Sequence, residues 1–106
     1  MKIAVPYENG QVFQHFGHSG QFKIYDVEDG RITAERIAVP AGSGHGALAG
    51  FLSGLEVDTL ICGGIGAGAQ EALAQAGIRL YGGVTGGADE AVRALLAGTL
   101  DYSAEV

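Results

Sequence analysis

Basic residues are scarce in this chain. Lysine and arginine together number six against twelve aspartates and glutamates, a formal charge of −6. Attachment to nucleic acid or to an anionic membrane depends on clustered Lys and Arg, so the charge balance argues against both as partners. Cysteine occurs once, at Cys62. A lone thiol excludes an internal disulfide and every zinc-finger spacing, and it suits a reducing cytoplasm. Of the two prolines, Pro6 interrupts the opening run too early for the apolar stretch of a signal peptide. Long hydrophobic runs are missing too, and none nears the roughly 20 residues needed to span a bilayer. A cytoplasmic protein is expected.

Glycine is abundant instead. Its nineteen copies fall between patterned segments rather than in a G-X-Y repeat, which excludes a collagen-like fibre and implies tight turns. Hydrophobic residues make up 47% and charged residues 17%, a balance that suits a folded globule. A length of 106 residues reads as one domain, 1–106, with a core of its own.

Along the chain, residues 2–7 alternate Ile3, Val5 and Tyr7 against Lys2 and Ala4, which predicts a strand. Glu8-Asn9-Gly10 reads as a turn. Residues 11–21 show no clean period and carry Phe13, His15, Phe16 and His18, as in a loop placed for function or to cover a core edge. Residues 22–27 and 32–39 read as strands joined at Asp29-Gly30, a strong hairpin signal. Leu48, Phe51, Leu52 and Leu55 then fall at helical spacing over 46–55, with Ser43 or Gly44 as the cap. Gly50 and Gly54 weaken that helix by about 1 kcal/mol each relative to alanine. Residues 59–62 form a short apolar strand. A helix over 67–76 follows, with Ala69, Ala72, Leu73 and Ala76 on one stripe and a stop at Gly77. Residues 78–81 give the last strand. The third helix opens with Asp89 and Glu90, turns Ala88, Val92, Leu95 and Leu96 inward, and ends before Gly98. The order β-β-β-α-β-α-β-α predicts an α/β fold with a five-stranded mixed sheet and helices on both faces.

The chemistry is expected around Cys62-Gly63-Gly64-Ile65-Gly66, between the fourth strand and the second helix. Glycines let the backbone take unusual angles and let a ligand approach the main chain closely. The N–H groups that open a helix lack intrahelical partners, so such a turn is a generic anion cradle.

His15-Phe16-Gly17-His18-Ser19, leading into Phe22-x-Ile24-Tyr25-x-Val27, is followed by Val57-Asp58-x-Leu60-Ile61-Cys62-Gly63-Gly64-Ile65-Gly66. Gly77-Ile78-x-Leu80-Tyr81 and Ala97-Gly98-x-Leu100 complete the pattern. In this ordered set the chain resembles the dinitrogenase iron-molybdenum cofactor biosynthesis family, of NifX and NifB C-terminal type, from residue 2 to about 101. The resemblance implies a ribonuclease H-like fold and the binding of an iron-sulfur or iron-molybdenum cofactor precursor as cargo. It also implies cluster-donor or cluster-acceptor proteins as partners. The radical-SAM portion of full NifB proteins is lacking, as is a Cys-rich cluster-nucleating motif.

His15 and His18 stand three residues apart, and neutral imidazoles there could ligate exposed iron or molybdenum. Loop histidines that hydrogen-bond locally are the plainer reading. His45, in Gly42-Ser43-Gly44-His45-Gly46, is either a third ligand on a closing loop or a solvated residue near a helix start. Cys62 reads first as core packing, although a helix N-terminus beside it would lower the thiol pKa and favour ligation. Gly64-x-Gly66-x-x-Ala69 matches the dinucleotide fingerprint formally. No acidic residue ends the next strand to hold a ribose, however: Arg79-Leu80-Tyr81-Gly82 stands there. A nuclease would need clustered carboxylates for two metals, and the acidic residues instead look like turn and helix-start positions.

The expectation is a non-enzymatic carrier. Gly63, Gly64, Ile65, Gly66 and Cys62 would contact the cargo, and His15, His18 and His45 would ligate metal. The alternatives are a regulatory or partner-binding domain without metal and a small phosphate- or nucleotide-dependent enzyme on the same turn.

Overall fold

Two hairpins with left-handed turns begin the structure. In the computed structural model, which describes residues 1–40 and 45–103 apart from the side chains of 45 and 46, β1 (Lys2–Glu8) turns into β2 (Gln11–Val12). The turn residues Asn9 and Gly10 both have positive φ, 51° and 80°, the geometry that matches strand twist in a two-residue hairpin. Asp29 and Gly30 repeat the device at 53° and 75° between β3 (Phe22–Glu28) and β4 (Arg31–Ala38). The chain continues through α1 (His45–Gly54), β5 (Thr59–Ile61), α2 (Ala67–Gln75), β6 (Arg79–Tyr81) and α3 (Ala88–Ala97).

The sheet runs β4-β3-β1-β5-β6, with β2 paired to β1 off that path. Pairing is antiparallel among β1, β3 and β4 and parallel from β1 to β5 to β6. The fold is therefore mixed α/β, as expected, but with six strands rather than five. The sequence hid β2 because two residues are too few to show a period.

Alternation along β1 divides the core. Ala4 faces one side with Phe22, Ile24 and Leu60, against Leu48 and Leu52 of α1 and Ala69 and Leu73 of α2. Ile3 and Val5 face the other with Tyr25, Val27 and Ile61, against Ala88, Ala91 and Val92 of α3. Helices thus cover both faces, and each fully buried Leu contributes about 1.5–3 kcal/mol. One detail departs from the expected pattern. Ala76 is exposed, since α2 stops at Gln75 and the chain turns through Gly77 at φ 77°. The cap expected at Ser43 or Gly44 lies outside the described residues. Among the described residues, no helix is long and apolar enough to cross a membrane.

Candidate functional site

Three segments converge where the parallel strands end. β1, β5 and β6 run the same way, so residues 9–20, 62–66 and 82–87 all emerge at their carboxyl end. The helices α1, α2 and α3 begin at that end too, because each follows or returns alongside these strands. Open α/β sheets bind ligands in this position.

The loop after β2 lies directly on the glycine turn. His15 and Gly64 form a parallel bridge; the Gly64 N–H donates to Gln14 O (2.8 Å) and the Phe16 N–H to Gly64 O (3.1 Å). Gly64 therefore does not offer a free donor to a ligand, contrary to the sequence expectation. Its missing Cβ serves the loop instead, since a Cβ there would stand 2.9 Å from Gln14 O. Gly63 is buried, and its carbonyl accepts the Gly83 N–H (3.0 Å). Ile65 and Gly66 differ: among the described residues their N–H groups have no hydrogen-bond acceptor. Gly66 is the N-cap of α2 and brings no side chain to the helix start, so the first turn keeps its donors and the positive end of its dipole.

His15 is exposed beside this turn, with its ring edge-on to Phe13 at 6.0 Å. The 3-10 turn Phe16–His18 then carries the chain away, pinned by the Ser19 hydroxyl donating to Phe16 O (2.7 Å). His18 is left in a separate cleft of about 270 Å³ with Tyr7, Glu8, Phe13, Gly20 and Gln21. The His18 N–H donates back to His15 O (2.9 Å), and the Phe13 ring that meets His15 edge-on also lines the His18 cleft. His45 is the first residue of α1, at the same end of the sheet, and its side chain lies outside the described residues. Among the described residues, no three His, Cys, Asp or Glu side chains gather as a metal-ion site.

Cys62 is fully buried in the α1–α2 core, and burial pushes its thiol up to about 12. The lowering expected from the neighbouring helix start is outweighed because the thiolate would sit in apolar surroundings. Cys62 thus presents no exposed surface at the glycine turn.

A family model for the dinitrogenase iron-molybdenum cofactor family matches residues 1–98. The chain belongs to this family. Protein MJ0580 of Methanocaldococcus jannaschii is 34% identical over 106 residues, spanning 95% of this chain and 90% of that protein. The crystal structure of PH0822 superposes with a TM-score of 0.91 at 27% identity, covering 99% of this chain and 96% of that one. The apo form of the orange protein from Desulfovibrio gigas superposes at 0.83 and 26% identity, covering 97% and 92%.

Sequence reasoning missed two features of this family member. Gln14, whose Nε2 donates to Val12 O (2.9 Å) and Val84 O (3.1 Å), ties the loop to the segment after β6. The double glycine at 63–64 is the available sign of a close approach, and the group that approaches is Gln14. The second is a polar network on the α3 face. Lys23 Nζ meets Asp89 Oδ1 (2.7 Å) and Glu35 Oε1 (2.8 Å), and the Tyr25 hydroxyl donates to the same Asp89 oxygen (2.7 Å). The bonds to Asp89 and then Glu35 raise the Lys23 pKa. Those from Lys23 and then Tyr25 hold the Asp89 carboxyl below its usual range. A cleft of about 550 Å³ beside Arg31, Glu35 and Arg93 lies between β4 and α3 and away from the glycine turn.

Proposed function

We propose that the chain binds and carries an iron-sulfur or iron-molybdenum cofactor precursor as cargo in nitrogenase cofactor biosynthesis or a related metal-cluster role. One observation carries this reading: the docking of His15 alongside a glycine turn whose Ile65 and Gly66 N–H groups remain free at an uncapped helix start. A preformed cluster brings its own sulfide ligands and negative charge. It needs few protein ligands, which imidazole and backbone N–H groups supply. Few ligands also let a carrier release its cargo to a cluster-acceptor protein. His15 is the primary ligand; His18 and His45 are secondary positions, with His18 in the cleft beside Tyr7 and Phe13.

The strand path, three antiparallel strands followed by two parallel additions, supports a ribonuclease H-like description of one domain over residues 1–106. A carrier role without catalysis is favoured because the paired titratable groups Lys23, Tyr25 and Asp89 lie on the α3 face rather than at the turn. A reducing cytoplasm suits the buried free Cys62.

The test is an anaerobic titration of metal-free protein with isolated iron-molybdenum cofactor, followed by visible absorption. Stoichiometric binding is expected, weakened at least tenfold by His15→Ala and less by His18→Ala or His45→Ala. No binding at micromolar protein would refute the carrier reading and leave a partner-binding domain without metal.

A further inference from the structure

The glycine turn and the histidine loop are held together by one side chain. Backbone bonds already link the converging segments in pairs: Gly64 N–H to Gln14 O, Gly83 N–H to Gly63 O, Val84 N–H to Cys62 O, and Val12 N–H to Gly86 O. Gln14 adds a bond from its carboxamide to the carbonyls of two of these segments, at Val12 and Val84. It thereby braces the residue immediately before His15.

The opposite wall is shaped to receive that carboxamide. A Cβ built on Gly63 would stand 2.5–2.8 Å from three atoms of the Gln14 amide. No atoms can stay that close, so any side chain at 63 must push the amide away. Gly63 has no positive φ, hence backbone conformation does not demand glycine there. Space for Gln14 does.

We infer that Gln14 is a positioning residue: its carboxamide, seated on Gly63 and bonded to Val12 O and Val84 O, fixes the loop so that His15 stands beside the free N–H groups of Ile65 and Gly66. This rests on the carrier reading above and adds what orients its ligand. Without the carboxamide, the Gln14 carbonyl keeps a partner in Gly64 but loses its lateral brace. His15 then samples orientations away from the turn, and affinity falls by the cost of ordering it again.

Three variants test this: Gln14→Ala, Gly63→Ala and the double variant. Amide hydrogen exchange of Gly64 in the free protein and binding of isolated iron-molybdenum cofactor are measured on each, with thermal melts to confirm folding. Gln14→Ala should speed Gly64 exchange at least tenfold and weaken binding at least tenfold. It should also diminish the nitrogen coupling that an imidazole ligand gives in pulsed EPR of the bound cluster. Gly63→Ala should reproduce these changes from the other side, by displacing the amide. In the double variant the two effects should not add, because the alanine methyl has nothing left to displace.

Additive effects, or normal binding and nitrogen coupling in Gln14→Ala, would overturn the positioning role while leaving the carrier reading intact. Failure of the wild type to bind would remove the carrier reading and the positioning role with it. The exchange data would still report whether the carboxamide clasps the loop.

Discussion

Replacing Tyr25 by Phe removes one oxygen from the α3 face and nothing else. Tyr25 is fully buried, and its hydroxyl donates to Asp89 Oδ1 at 2.7 Å. A hydrogen bond to a charged group contributes about 1.5–3 kcal/mol. The Asp89 side chain is 40% exposed, so water screens the bond and can replace it in the variant. A loss of about 1–2 kcal/mol is expected at pH 7, or about 5–10 °C in Tm for a domain of this size. Burial, followed by the bond to Asp89, holds the phenol well above its ordinary pKa, so it stays a donor across the working range. The folded-state pKa of Asp89 is depressed. Its contribution is therefore present above the unfolded carboxyl value of about 4 and is lost as pH falls through the lower folded value. The difference between wild type and Tyr25→Phe should be flat from about pH 6 to 8 and shrink as pH falls through the lowered folded-state value of Asp89. Urea melts at several pH values, run as a cycle with Asp89→Asn, measure it. A coupling below about 0.3 kcal/mol at pH 7 would refute the assignment.

Leu73→Ala should destabilise by about 2–5 kcal/mol with an unchanged urea m-value, because Leu73 is fully buried where α2 meets the sheet. Gly98→Ala forces φ 76° on a residue with a Cβ, which costs about 1–2 kcal/mol although no atom lies within 4 Å, and a thermal melt reads it. The Cys62 thiol, buried and raised to about 12, should react with a soluble disulfide reagent at pH 8 only as fast as the fold opens, and at once in urea. Its raised pKa is a contribution present below the unfolded thiol value and lost as pH climbs above it, so stability should decline above about pH 9.

Local chemistry was legible where a residue's own covalent structure sets the backbone. Asp29-Gly30 announced its hairpin because both residues tolerate positive φ, and Gly77 and Gly98 announced helix ends for the same reason. The periodicities at Leu48, Phe51 and Leu52 and at Ala88 and Val92 placed helices because burial has to follow a 3.6-residue repeat. The glycine turn after the buried strand was equally visible, and the segments 9–20 and 82–87 bond to it.

Contacts between distant segments were not legible. The tertiary structure set Gly64 against Gln14, fifty residues away in the chain, and so took an N–H that local reading left free. It gave His15 and His18 different surroundings, the glycine turn for one and a cleft with Tyr7 and Gln21 for the other, although spacing alone grouped them. Cys62 lies beside a helix start that would lower its pKa, yet packing of α1 and α2 over it raised that pKa. The sequence by itself therefore determined which elements form and where they stop, since those depend on bonds and residues a few positions apart. Which donors stay free, which histidine reaches the turn and which thiol is sealed depend on what the rest of the chain brings alongside, and only the assembled fold decided them.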